Sequence, residues 1–181
     1  MFEEAVKLIQ RGDVLGYYKA TTTLEALIQF GERLEDGPHN REYYHVAVAL
    51  DNFSKIEADG VKVAINPITS DNGYAIFRLP VSQSKIDQAL TKLRGLMGQR
   101  YDWVLIVDDG LRYLSKGITG RELLHLPAWF VRRKERTEKI CVSVLRKYCN
   151  YLHYEPIGNL DTWSSPEDWC LALEDCEVKS Q

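Results

Sequence analysis

The spacing of the apolar residues changes near position 84, and this change constrains the fold more than any other feature of the sequence. Before it, β-branched and apolar residues form short runs that predict strands, at residues 14–18, 44–50, 55–57, 60–65 and 74–79. After it, apolar residues recur every three or four positions over residues 84–97, which predicts a helix that ends at Gly98. Because the strands precede the helices instead of alternating with them, the sequence predicts an α+β fold.

Turn and capping residues limit several other predicted elements. Asp59 and Gly60 predict a hairpin turn between two of the strands. Short helices are predicted over residues 2–10 and 21–31. The polar stretch over residues 32–41 contains a Gly-Pro pair and predicts a surface loop.

The last third of the chain contains two helix starts. Thr137 is expected to cap a long helix. The apolar face of this helix would comprise Ile140, Val144, Leu145 and Tyr148. Pro166, preceded by Ser164 and Ser165, predicts another helix, which we expect to pack on the domain. Residues 101–107 are apolar, but their pattern does not distinguish a helix from a strand.

Composition predicts one domain and excludes two classes of partner. With 181 residues, 45% of them hydrophobic, the chain suffices for one core and is short for two, so residues 1–181 are interpreted as a single domain. A net charge of −3 does not supply the positive field that draws nucleic acid. The sequence contains no run of about 18 apolar residues, so no stable membrane anchor is expected. The acidic start MFEE does not resemble a signal peptide.

Cys141 carries the strongest indication of chemistry. It falls in the first turn of the helix predicted after Thr137, where unpaired N–H groups and the helix dipole stabilise a thiolate. Lys139 and the basic run at residues 132–134 add positive potential. The alternative is that Cys141 is a small core residue, as many free cysteines are.

No metal or other cofactor is predicted. The 4 cysteines lie at positions 141, 149, 170 and 176, without a CxxC pair or a following histidine at zinc-finger spacing. No HxxxH or HExxH spacing brings histidines together on a helix. We therefore expect free thiols and no metal site.

His45 is the candidate base for the thiol. It opens a predicted buried strand and Glu57 lies on the next one, so antiparallel pairing can place the imidazole and the carboxylate side by side. A carboxylate there would hold the imidazole tautomer and stabilise its charged form. The alternative is a half-exposed strand histidine beside a surface acid. The other histidines, His39, His125 and His153, have no strand carboxylate at hairpin range and are weaker candidates.

Five segments of the chain occur in the order found in a family of hydrolases. They resemble the circularly permuted NlpC-type hydrolases, especially the YiiX-like group: GDVL at 12–15, YHVAVAL at 44–50, IEADGVKV at 56–63, MGQRYDW at 97–103 and KICVSVL at 139–145. The likeness spans residues 12–150. The order of the candidate catalytic residues along the chain is informative, because papain has its cysteine before its histidine, whereas here His45 precedes Cys141. Two positions depart from the pattern, Val142 where serine is common and Ala47 where glycine is usual.

The resemblance implies a circularly permuted papain-like fold, with an antiparallel sheet or small barrel packed against helices. It also implies a cysteine hydrolase that works by acyl transfer. Cys141 would be the nucleophile, His45 the base, and Glu57 the acid that orients the base.

Three aromatic residues are candidates for substrate binding. Tyr101 matches the Gly-x-x-Tyr element of the resemblance and would line the site. Trp103 and Tyr44 would form an aromatic wall for the substrate, or else belong to the ordinary core.

The resemblance leaves the substrate open among several classes. Related enzymes cleave amides in peptidoglycan peptides or transfer lipid acyl groups. Without a membrane anchor, a peptidase or amidase acting on a peptide or peptidoglycan-like substrate is the first choice. A lipid-directed acyltransferase or thioesterase, and a catalytically silent binding domain of the same fold, are the alternatives. Without a signal peptide we expect a cytoplasmic protein or one delivered by a bacteriophage particle, and the sequence leaves the oligomeric state open.

Overall fold

A five-stranded antiparallel sheet forms the centre of the fold. The computed structural model describes residues 8–19, 43–69, 73–101, 115, 119, 121, 138–156, 160 and 164–178. The strands of the sheet are β1 (Val14–Tyr17), β2 (His45–Ala49), β3 (Ser54–Ala58), β4 (Val63–Pro67) and β5 (Tyr74–Phe77). Their order across the sheet is β4-β3-β2-β1-β5, and every neighbouring pair is antiparallel.

Three helices and a short parallel strand pair accompany the sheet in the described part of the chain. The helices are α1 (Gln83–Arg94), α2 (Cys141–Leu152) and α3 (Pro166–Ala172), followed by a 3-10 turn (Glu174–Cys176). Strand β6 (Arg100–Tyr101) pairs in parallel with β7 (Glu138–Lys139). Because Cys141 comes two residues after the end of β7, this strand positions the start of α2.

Alternation along β2 separates two apolar clusters on the two faces of the sheet. Val46 and Val48 belong to the cluster that includes the buried residues of α1 and α2. Ala47 and Ala49 belong to the other cluster, together with apolar residues of β1 and β5. His45 continues the alternation of these two alanines, so it opens the second face at the start of the strand.

The predicted α+β fold with an antiparallel sheet is confirmed. The strands lie close to their predicted positions, except that β4 starts only at Val63. The reason is a wider turn than predicted, in which the Asp59 carboxylate accepts hydrogen bonds from the N–H groups of Val61 and Lys62 at 2.9 and 3.0 Å. Gly60 in this turn has a φ of 90°, a conformation that favours glycine.

Helix α1 ends earlier than its apolar pattern predicts. It ends at Arg94, whereas the prediction extended it to Met97, with Gly98 at its end. The N–H groups of Gly95 and Leu96 bond to carbonyls three residues back, which tightens the chain into a turn after the helix.

The predicted cap of α2 at Thr137 is wrong. The N-cap is Ile140, in an extended conformation with φ −107° and ψ 172°, and the helix begins at Cys141. The physical reason is the strand β7, whose extended backbone pairs with β6 and cannot also be helical. Cys141 is therefore the first helical residue, closer to the helix end than the sequence indicated.

Helix α3 begins as predicted. Ser165 is its N-cap and forms a reciprocal capping box with Asp168, with hydrogen bonds of 2.8 and 3.1 Å. Trp169 is 3% exposed, which confirms that this segment packs on the rest of the protein. Beyond the 3-10 turn, the N–H of Val178 donates to the carbonyl of Ile76 at 2.8 Å, so the segment extends the sheet beside β5.

Several predictions fall outside the described residues. They are most of the helix over residues 2–10, the helix over 21–31, the loop over 32–41, and Trp103. In the part of the chain that the structure describes, no helix has the length and apolar character needed to cross a bilayer. The same described residues include no cluster of three or more His, Cys, Asp and Glu side chains suited to a metal ion.

Candidate active site

The pairing of β2 with β3 brings His45 and Glu57 together. In this register Val48 lies opposite Ile56, so Glu57 lies diagonally across from His45 on the same face of the sheet. The Nε2 atom of His45 and the Oε2 atom of Glu57 are 2.7 Å apart. The predicted contact between the imidazole and the carboxylate is therefore present.

Two further side chains contact the Glu57 carboxylate. The Nζ atom of Lys55 lies 2.7 Å from the same Oε2 atom, and the amide of Asn66 donates to Oε1 at 2.9 Å. Lys55 shares a face of β3 with Glu57 because they are two residues apart. The side chain of Glu57 is only 7% exposed, so three polar groups replace the water that the carboxylate has lost.

The pKa values of Glu57 and His45 shift in opposite directions. Burial raises the pKa of Glu57, but its contacts with His45 and Lys55 outweigh burial and lower this pKa from 4.5 to about 2. Burial lowers the pKa of His45, but its contacts with Cys141 and Glu57 outweigh burial and raise this pKa from 6.5 to about 9. At neutral pH these values describe a carboxylate paired with an imidazolium.

Cys141 lies beside His45 at the start of α2. The thiol is near enough to the imidazole to raise the pKa of His45. Because Nε2 of the ring faces Glu57, Nδ1 is the ring nitrogen available to the sulfur. As the first residue of α2, Cys141 lies where backbone N–H groups lack helical acceptors and the helix dipole favours negative charge.

Helix α2 runs along the sheet in the direction of β2. Its first residue, Cys141, contacts His45 at the start of β2. Further along the helix, the hydroxyl of Tyr148 donates to the carbonyl of Gly12 at 2.9 Å. The N–H of Gly12 in turn donates to the carbonyl of Ala49, at the end of β2. Contacts at both ends of β2 therefore set the position of the thiol.

Two tyrosine rings pack against the imidazole. The ring of Tyr44 is stacked on it, with centroids 6.4 Å apart and an angle of 26° between the planes. The ring of Tyr17, opposite His45 in the register of β1 with β2, has its centroid 5.7 Å away. Both tyrosines are buried and reduce the access of water to the imidazole, which strengthens its interactions with nearby charges. The predicted contact of Tyr44 with a substrate stays a prediction.

Tyr101 lies close to the start of α2 along the backbone. In the parallel pair of β6 and β7 it is opposite Lys139, two residues before Cys141. Its side chain is buried in the cluster that includes Cys141. Trp103 lies outside the described residues, so the substrate contacts predicted for both aromatic residues stay predictions.

Sequence reasoning missed Lys55, Asn66 and Tyr17. The two-residue spacing between Lys55 and Glu57 on a predicted strand was a usable signal, because such residues share a face. The contacts of Asn66 and Tyr17 depend on the pairing register of β4 and β1, which no local pattern reveals.

Cys149, the other cysteine of α2, lies in a different environment. It is 1% exposed, and burial raises its pKa to about 12. A thiol with that pKa stays protonated near neutral pH and is a poor nucleophile. All four cysteines are free, so Cys149 provides a matched control for Cys141.

The thiol, imidazole and carboxylate are arranged in the order that nucleophilic catalysis requires. The thiol lies beside a base, the imidazole, and the imidazole contacts a carboxylate that can orient it. Comparison of the chain with models of known protein families finds no matching family, and comparison with curated proteins finds no match. The functional interpretation therefore depends on the geometry of the site and on the resemblance seen in the sequence.

Proposed function

We propose that this protein is a cysteine hydrolase of the permuted papain-like kind, acting by acyl transfer. The observation that carries the proposal is the position of His45, which contacts the Cys141 thiol and the buried carboxylate of Glu57 at once. A histidine held in this way can accept the proton of the thiol and return it to a leaving group.

The first half of the proposed reaction starts after the transfer of the Cys141 proton to His45, which leaves a thiolate beside an imidazolium. The pKa of His45, raised to about 9, favours the imidazolium that this transfer produces. The thiolate then attacks the carbonyl carbon of the substrate and forms a carbon–sulfur bond. When the tetrahedral intermediate collapses, the bond to the leaving amine breaks and the amine takes the proton from His45.

In the second half, water hydrolyses the acyl-enzyme. His45 takes a proton from the water as its oxygen attacks the acyl carbon, and the carbon–sulfur bond then breaks to release the acid and restore the thiolate beside the imidazolium. Glu57 stays ionised throughout and orients the ring.

The start of α2 supplies donors for the developing oxyanion. Because Cys141 is the first helical residue, its own N–H and the next one have no acceptor within the helix. One such donor is worth roughly 3 kcal/mol in related reactions of other enzymes.

The proposed substrate class is a peptide amide of the kind found in peptidoglycan. This choice follows from the sequence resemblance to the NlpC-type hydrolases. A lipid-directed acyltransferase or thioesterase would use the same three residues and would differ in the acyl donor and, for the transferase, in the acceptor that replaces water. A silent binding domain is favoured by one observation, the 5% exposure of Cys141, and it is an outcome of the test.

The test compares two thiols of one helix. The full chain is incubated with purified peptidoglycan or with p-nitrophenyl acetate, and released fragments or nitrophenol are measured by mass spectrometry or absorbance. We expect Cys141→Ala to lower hydrolysis at least about a thousandfold and Cys149→Ala to leave it unchanged. Cleavage of peptidoglycan supports the amidase, and cleavage of the ester alone supports the thioesterase. Equal turnover by the wild type and Cys141→Ala, or no turnover at all, would favour the silent domain.

A further inference from the structure

Two positively charged groups share one oxygen of Glu57. The Nε2 atom of His45 and the Nζ atom of Lys55 each lie 2.7 Å from Oε2. The two nitrogens are therefore no farther apart than twice that distance. The side chains of His45, Lys55 and Glu57 are 17%, 10% and 7% exposed, so little water separates these charges.

Lys55 is held at this position from two sides. Its ammonium lies 4.2 Å from the centroid of the Tyr17 ring, close enough for a cation–π interaction. Its other contact is the Glu57 carboxylate. The chain thus buries most of a lysine side chain beside a histidine, an arrangement that is unfavourable unless the carboxylate compensates both charges.

The sharing of Oε2 has a direct electrostatic consequence. An ammonium close to the imidazolium repels it and also competes with it for the carboxylate oxygen. Without Lys55, the carboxylate would hold the proton of His45 more tightly. A base that never releases its proton cannot accept one from water, so a limit on this attraction is useful in a hydrolytic cycle.

Several groups face the His45 ring from the elements packed around it. Tyr17 faces it from β1, and Tyr44 precedes it at the start of β2. Glu57 faces it from β3 and Cys141 from α2. Lys55 differs from these groups, because its ammonium contacts the same carboxylate oxygen as the His45 ring.

We propose that Lys55 is a positioning residue with two effects on the site. It keeps Glu57 ionised and in place when His45 releases its proton, and it limits how strongly Glu57 stabilises the protonated form of His45. This inference rests on the proposed function, because it gives Lys55 a role in the cycle of the same base. It concerns the charge of Lys55 and not only its packing, so variants that keep or remove the charge separate the two.

The test is a pH titration of the His45 ring by NMR in full-length protein carrying Cys141→Ala. Removing the thiol takes away the contribution of Cys141 to the pKa of His45, and the titration needs no enzymatic activity. We expect Lys55→Gln, and Lys55→Met as a second neutral variant, to raise the pKa of His45 by about one unit or more. Lys55→Arg keeps the charge and is expected to stay close to the parent. Lys92→Met is the matched control, because Lys92 also lies over a tyrosine ring but is exposed.

In the protein with its thiol, the same neutral variants are expected to move the alkaline limb of the pH profile of hydrolysis upward. An unchanged His45 titration in a folded neutral variant would overturn the role of Lys55. Equal shifts in the Arg and neutral variants would also overturn it, because packing would then be the cause. If the titration shifts as expected in a chain that hydrolyses nothing, the proposed function fails while the charge effect of Lys55 stands.

Discussion

Replacing Glu57 by Gln should change how the stability of the fold depends on pH. In the folded protein the pKa of Glu57 is lowered from 4.5 to about 2. A group whose pKa is lower in the folded state stabilises the fold above its unfolded pKa and loses this effect as the pH falls toward its folded pKa. For Glu57 the contribution is complete above about pH 4.5 and is lost as the pH approaches about 2.

The size of this contribution follows from the shift. A decrease from 4.5 to about 2 corresponds to roughly 3 kcal/mol of stability near neutral pH, of which roughly 2 kcal/mol is lost by pH 3. In Glu57→Gln this part of the acid dependence is absent. The variant is also expected to be less stable by about 3 kcal/mol or more at pH 7, because Lys55 keeps a buried charge without its counterion.

His45 adds the opposite dependence at alkaline pH. Its folded pKa is about 9 against 6.5, so the stability it contributes is complete below about pH 6.5 and is lost as the pH rises through about 9. The contact between His45 and Glu57 enters both shifts, so the two contributions are not additive. Glu57→Gln should therefore flatten both limbs of the stability curve.

Urea unfolding at a series of pH values from 3 to 9 measures this effect. The quantity to compare is the difference in unfolding free energy between the wild type and Glu57→Gln, which should shrink as the pH falls from 6 to 3. Asp87→Asn is the control, because Asp87 pairs with Arg11 at an exposed position and should change the curve little. If the difference in unfolding free energy between the wild type and Glu57→Gln is constant from pH 3 to 6, the assignment of Glu57 as a buried, ion-paired carboxylate is refuted.

Three other predictions test the site and the segment after α2. His45→Ala should lower the rate of hydrolysis nearly as much as loss of the thiol. Glu57→Gln should lower it less, because an amide still accepts a hydrogen bond from the ring. Steady-state rates of the two variants give this ranking, and negligible effects at both positions would contradict the mechanism. Cys170→Ser and Cys176→Ser should leave the specific activity unchanged, since neither cysteine belongs to the site. The specific activity of each folded variant is compared with that of the wild type, and a loss of activity would contradict this prediction. Ser165→Ala removes the cap of α3 and should destabilise the protein by about 1 kcal/mol in thermal unfolding, and no change would mean that the cap is redundant.

The strands and the hairpin could be predicted from the sequence because their signals are local. The apolar runs of β1 and β2 and the Asp59–Gly60 turn are visible in a few neighbouring residues. The contact between His45 and Glu57 also followed from adjacent antiparallel strands. Its diagonal geometry required the register, which the sequence does not specify residue by residue.

The start of α2 could not be predicted because it depends on a distant segment. Thr137 is a suitable capping residue by its chemistry, but residues 138–139 pair with β6 instead of joining the helix. Tertiary pairing overrides local helix preference in such cases. Lys55 was missed for another reason, because an apolar-residue pattern does not indicate that a lysine on a strand is buried beside a glutamate.

The closeness of His45 and Glu57 along the chain has a consequence for the order in which the protein folds during synthesis. These residues are 12 positions apart and belong to neighbouring strands, so their contact requires only a short loop closure, which is a fast event. Cys141 is synthesised much later and reaches them only when α2 docks on the sheet. The acid–base pair therefore needs only residues that are made well before the thiol, whereas the contact of Cys141 with His45 also needs the docking of α2.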